Sequence, residues 1–196
     1  MEFLDDVIEY LRIQVNNYKY VPLISYILKN ELNIKNFEIT LTKGDVTISN
    51  KIFKAHYIAI LLAITIALQR KLGKELVLAA DLGFRNVGLA IAVNSVIIWV
   101  STLRDPFDIV NIVKEIVEVM GIKPLVKLGI TPAISQLLSE IKRKLSILGI
   151  DIIEVKEENI NSMLFKKDIK SKRKLSKDQV AALEILYWRS WILWNK

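Results

Sequence analysis

Leu76-Val77-Leu78-Ala79-Ala80-Asp81-Leu82-Gly83-Phe84-Arg85-Asn86-Val87-Gly88-Leu89-Ala90 is the stretch on which the fold turns. Every position from Leu76 to Ala80 is apolar, the pattern of a strand covered on both faces. The run ends in Asp81, so a carboxylate is carried to the sheet edge, where ligands can reach it. Gly83 permits close backbone approach or a positive φ, and Gly88 lets the next strand start tightly.

Downstream, Gly88–Val93 and Val96–Ser101 are two more strand-like runs joined by Asn94-Ser95, a two-residue hairpin turn. The first three strands therefore form an antiparallel meander. Pro106–Met120 is helical by period and is stopped by Gly121; Pro124–Ile130 is a short apolar strand. Ile134–Leu148 is helical and stopped by Gly149, and Ile150–Val155 is a fifth strand. Strands one to three, a helix, strand four, a helix, strand five and a final helix make up an α/β domain over residues 75–196, its sheet three strands antiparallel and then two parallel.

Upstream, Phe3, Leu4, Val7, Ile8, Leu11 and Val15 fall at helical spacing opposite Asp5, Asp6 and Glu9, which predicts a first helix ending near Asn16-Asn17. Pro22 suits the first turn of a second helix. Phe37, Ile39 and Leu41, then Lys43-Gly44-Asp45, then Val46 and Ile48 predict a β-hairpin. A third helix spans roughly Lys54 to Lys71, and Gly73-Lys74 marks the boundary that leaves residues 1–74 as a helical and β-hairpin extension.

Composition narrows the function classes. The chain of 196 residues holds 28 Lys and Arg against 21 Asp and Glu, a net charge of +7, with a pI near 9.5, so a polyanionic partner is favoured and nucleic acid leads. There is no cysteine, which excludes disulfides, thiolate zinc and cysteine nucleophiles; a metal must be held by oxygen or by His56, the lone histidine. No secretory signal pattern opens the chain, so a cytoplasmic address is expected. The apolar run Ala55–Leu68 is shorter than the roughly 18–20 residues of a membrane span and reads as a buried helix. His56 at its start reads as structural. Few Gly and abundant Ile, Lys and Glu would suit a thermophile.

Three acidic stretches carry the chemistry. The first is Asp81-Leu82-Gly83-Phe84-Arg85-Asn86-Val87-Gly88; the second is Val155-Lys156-Glu157-Glu158-Asn159-Ile160-Asn161-Ser162, after the fifth strand; the third is Lys177-Asp178-Gln179-Val180-Ala181-Ala182-Leu183-Glu184, where an Asp opens a helix rich in small and apolar residues. In this order and spacing they resemble the motifs of the YqgF and RuvC branch of the ribonuclease H-like superfamily, across residues 76–190. The resemblance implies a ribonuclease H-like mixed five-stranded sheet flanked by helices. It also implies a metal-dependent nuclease that cuts branched DNA or structured RNA, with Asp81, Glu158 and Asp178 as catalytic acids holding Mg²⁺ or Mn²⁺. Asn159 stands where the family carries Arg, and Asn161 where a hydroxyl residue is common, so Glu157 competes with Glu158 for the second acid. Val126-Lys127-Leu128-Gly129-Ile130-Thr131 lacks the Glu that RuvC resolvases place after the fourth strand, which favours the YqgF side.

Around these acids lie the cations. Lys166, Lys167, Lys170, Lys172, Arg173, Lys174 and Lys177 stand between the second and third acids, suited to guide a phosphate backbone or to form an ordinary solvated loop, and Arg85 offers one more phosphate contact. Ser176 and Gln179 are spaced as a capping box, so Asp178 is also a first-turn residue stabilised by the helix dipole. Trp188, Trp191 and Trp194 either pack on the core or line a homodimer interface. The alternative to a nuclease is a non-catalytic nucleic-acid-binding module that keeps the fold. An actin-like or sugar-kinase-like phosphotransferase also uses an Asp-x-Gly turn, but needs a second such domain that this chain lacks.

Overall fold

The computed structural model describes residues 2–156 and 174–188. By internal contacts the chain divides into two compact units, one of Met1–Glu75, Ala92–Trp99 and Glu115–Gly121, the other of Leu76–Ile91, Val100–Lys114 and the chain from Ile122. In chain order the elements are β1 (Glu2–Phe3), α1 (Leu4–Val7), β2 (Leu11–Gln14), α2 (Val21–Tyr26), β3 (Phe37–Thr40), β4 (Val46–Thr47) and α3 (Ile58–Gln69). They continue with β5 (Leu76–Asp81), β6 (Val87–Val93), β7 (Val96–Leu103), α4 (Asp108–Glu115), β8 (Leu125–Ile130), α5 (Ser135–Ile147), β9 (Ile152–Lys156) and α6 (Lys177–Tyr187).

The first 50 residues differ from their predicted course. The expected first helix breaks after Val7, and Leu11, Ile13 and Val15 are buried as alternate residues of a strand, with Arg12 exposed between them. Leu4, Ile8 and Leu11 satisfy the helical period, while Leu11, Ile13 and Val15 satisfy period two; the β-branched pair Ile13 and Val15 suits the strand. Nor do β3 and β4 form a hairpin. β2 lies between them and pairs in parallel with both, Ile13 facing Ile39 on one side and Val46 on the other. The segment expected to be a tight turn crosses the β2 backbone instead. A Cβ on Gly44 would sit 2.7 Å from the Gln14 amide nitrogen and 2.8 Å from the Arg12 carbonyl oxygen, so only glycine passes there.

α3 is the buried helix that its composition predicts. Ile60 to Ala67 are all buried, and the hydroxyl of Thr65, its one buried polar side chain, donates to the Leu61 carbonyl at 2.8 Å. Among the described residues no helix is long and apolar enough to cross a membrane. The start of α3 is held from far along the chain: the Glu115 carboxylate accepts the His56 amide at 2.8 Å and the Tyr57 amide at 2.9 Å. The His56 contribution here is its backbone N–H. A carboxylate at a helix start satisfies amides that have no intrahelical partner and meets the positive end of the helix dipole. Glu115→Ala is expected to cost about 2 kcal/mol, from two charge-assisted hydrogen bonds. Urea denaturation checks this as a lowered midpoint with an unchanged slope.

The larger sheet is mixed and has the order β1-β7-β6-β5-β8-β9. Its five strands from β5 to β9 follow the sequence reading to within two residues at most ends. Asn94-Ser95 links β6 to β7, and five residues link β5 to β6; both connections are too short for a parallel crossover, so these pairs are antiparallel. β8 pairs in parallel with β5 and with β9. Gly121 and Gly149 take positive φ where they end their helical segments, as expected. The sixth strand was not foreseen: Glu2-Phe3 pairs in parallel with Val96-Ile97 at the β7 edge. Two residues are too few to show any periodicity.

Candidate functional site

The site is assembled from the second unit, beginning with β5. Asp81 is its last residue and is half-buried, whereas Leu78, Ala79 and Ala80 are wholly buried. Across the parallel ladder Ala79 pairs with Lys127 and Asp81 with Gly129, and Gly129 in turn pairs with Val155 of β9. Residues paired side by side point to the same face of a sheet. Asp81, Lys127 and Gly129 therefore share one face.

α6 covers that face. A Cβ on Gly129 would meet the Ile185 side chain at 2.4 Å, and the Lys127 ammonium donates to the carbonyls of Leu186 at 2.6 Å and Trp188 at 3.2 Å. Val180, Ala182, Leu183, Ile185 and Leu186 are buried along the helix. Its other end reaches β6, where a Cβ on Gly88 would stand 1.8 Å from the Asp178 carbonyl oxygen and 2.4 Å from its carbonyl carbon. Gly88 is thus needed because the first turn of α6 lies directly on it, a stronger demand than the tight strand start read from sequence. Gly88 stands beside the end of β5, since only five residues join the two strands. One strand spacing, about 4.8 Å, separates the strand that supports Asp178 from the strand that carries Asp81.

The start of α6 is firmly built. Ser176 accepts the Gln179 amide through its hydroxyl at 3.2 Å, and its own amide donates to the Gln179 side chain at 2.9 Å, the reciprocal capping box that the spacing predicts. The Ser176 hydroxyl also lies 3.3 Å from that of Thr102 on β7. Asp178 is half-buried in this first turn.

The remaining predicted site residues divide in two. Arg85 is exposed in the β5–β6 loop, and Lys174 and Lys177 are exposed on either side of Ser176. Glu158, its competitor Glu157, and Lys166, Lys167, Lys170, Lys172 and Arg173 lie outside the described residues, as do Trp191 and Trp194; Trp188 is half-buried after α6. Among the described residues no three of His, Cys, Asp and Glu are grouped as a metal-ligand set.

Sequence reading missed Lys127. Lys127 is only 8% exposed and is the cation that meets the last carbonyls of α6. Those carbonyls form the negative end of the helix dipole, so a buried ammonium is well matched to them. A charged residue inside the apolar run Leu125-Val126-Lys127-Leu128 was the available signal, because a lysine within a buried strand requires an internal partner.

The order β7-β6-β5-β8-β9, antiparallel then parallel, with an acid at the end of β5 and a helix across it, is a mixed α/β arrangement of the kind that the ribonuclease H-like resemblance implies. No protein-family model and no curated protein matches the chain. Among solved structures it is similar to Thermus thermophilus RuvC in complex with a Holliday junction substrate, at 14% identity and a TM-score of 0.43, over 60% of this chain and 96% of that one. A second Thermus thermophilus RuvC structure gives 14% identity and a TM-score of 0.43 over 59% and 96%.

Proposed function

We propose that the chain is a metal-dependent nuclease of the ribonuclease H-like class that cleaves phosphodiester bonds in branched DNA or structured RNA. The observation that supports this reading is the seating of the Asp178 backbone on Gly88, which sets the first turn of α6 on the strand next to the one that ends in Asp81. The resemblance of the three acidic stretches to the YqgF and RuvC motifs supports the same reading and supplies Glu158 as the third acid.

The donor set suits a hard cation. Asp81 and Asp178 offer only carboxylate oxygens, one on a strand end and one on a capped helix turn, and the chain has no cysteine to draw a softer metal. Asp81, Asp178 and Glu158 would hold Mg²⁺ or Mn²⁺, which supplies charge stabilisation for the attacking and leaving oxygens at the scissile phosphate. The protein's own part is to orient those acids and to bring the phosphate backbone to them. Arg85, Lys174 and Lys177, all exposed, suit phosphate contacts that position substrate without reading sequence, with Lys166, Lys167, Lys170, Lys172 and Arg173 as further candidates.

The test is Mg²⁺- or Mn²⁺-dependent cleavage of four-way DNA junctions and of structured RNA by the purified chain and by Asp178→Asn. The nuclease reading expects cleavage by the wild type and its loss in the variant, with binding retained. Binding without cleavage by either protein would favour the non-catalytic module, and equal cleavage by both would remove Asp178 from the site.

A further inference from the structure

The loop between Asp81 and β6 carries a feature that the acids do not use. Leu82 and Val87 are buried at its two ends, whereas Phe84 is 69% exposed and Arg85 and Asn86 are exposed beside it. The loop is drawn shut at its base: a Cβ on Gly83 would lie 2.6 Å from the Asn86 carbonyl oxygen. A short turn, anchored at both ends and closed by a glycine, holds its tip in a restricted position. At that tip stand an aromatic ring and a guanidinium, three and four residues beyond Asp81.

We propose that Phe84 is a substrate-positioning residue that stacks on an unpaired nucleobase next to the scissile phosphate, while Arg85 holds a neighbouring phosphate. The place next to the cleaved bond rests on the nuclease reading, and the stacking rests on the loop alone. An exposed aromatic ring offers a flat apolar face to a base, and such stacking is sequence-tolerant because every base has a π-face. The adjoining guanidinium provides the charge that brings a phosphate to the same place. A protein partner would be served by the ring alone. The pairing of ring with cation, beside a candidate acid in a chain of net charge +7, favours nucleic acid.

A base within a continuous duplex has both faces occupied by its neighbours, so Phe84 selects sites where a base is already unstacked, as at a branch point, flap or loop.

The experiment measures the affinity of the full chain, without divalent metal so that nothing is cut, for labelled duplexes bearing an unpaired strand, in DNA and RNA versions. Each version is made with intact bases and with abasic residues in the unpaired segment. Phe84→Ala should weaken binding to the intact-base probes about tenfold to a hundredfold. Phe84→Trp should restore it, and wild type and Phe84→Ala should bind the abasic probes alike. A difference seen with DNA only or RNA only supports the stacking and assigns the nucleic acid. Equal affinity of wild type and Phe84→Ala for intact bases, a loss that persists on abasic probes, or no binding by the wild type would each overturn it. Failure of the nuclease reading appears separately, as cleavage insensitive to substitution of the acids.

Discussion

Asp81→Asn is expected to lower cleavage about a thousandfold, equivalent to about 4 kcal/mol of transition-state stabilisation, while leaving nucleic-acid affinity within about twofold. The substitution keeps the shape of the side chain but removes its charge and replaces one acceptor oxygen with an NH2 donor. Asp81 ends a strand whose preceding residues are buried and whose ladder to β8 is complete, so the backbone has no freedom to bring another acid into its place. In the proposed reading binding falls to the exposed cations and the loop tip, which the substitution does not touch. Single-turnover cleavage with saturating enzyme, alongside anisotropy binding, separates the two effects. An equal loss in both would mean that Asp81 supports the fold or the substrate contact and not the chemical step.

Gly88→Ala has the second large expectation. Its added carbon would fall 1.8 Å from the Asp178 carbonyl oxygen and 3.2 Å from the Ala182 methyl. The nearest obstacles are backbone atoms of a capped helix turn, so no side chain can rotate away to make room, and α6 must lift off β6. Overpacking of this kind costs about 3 kcal/mol or more. Cleavage should fall with it, because the same movement carries Asp178 away from β5. Thermal unfolding of Gly88→Ala beside Asp178→Asn distinguishes the cases. Both variants should lose cleavage, but only the glycine variant should show a large drop in Tm. A fully stable Gly88→Ala would contradict the close seating of the helix.

The parts of the fold that were legible from sequence are those whose signals are local. The apolar run into Asp81, the Asn94-Ser95 turn, the glycines at 121 and 149 and the Ser176–Gln179 box each act within a few residues, and each is found where it was read. The N-terminal errors have the opposite character. Parallel pairing of β2 between β3 and β4 joins segments about 26 and 33 residues apart, and nothing within either segment announces its neighbour. The turn signal at Lys43-Gly44-Asp45 was real, but glycine served there for close passage over a strand. At the candidate site Asp81 could be singled out because a carboxylate ending an apolar run is conspicuous. Gly88 and Lys127 were undervalued because their roles depend on α6, roughly 90 and 60 residues further along the chain.

The short β1 strand has a practical consequence for handling the protein. Glu2-Phe3 occupies the outer hydrogen-bonding positions of β7 at Val96-Ile97, next to residues that are themselves buried. An open strand edge of this apolar character is a template on which other chains can dock. The first residues therefore act as a guard strip. Extensions fused at this end should carry a linker that leaves Glu2 and Phe3 free to remain in place, since a fusion that drew them off would bare a sticky margin and favour aggregation.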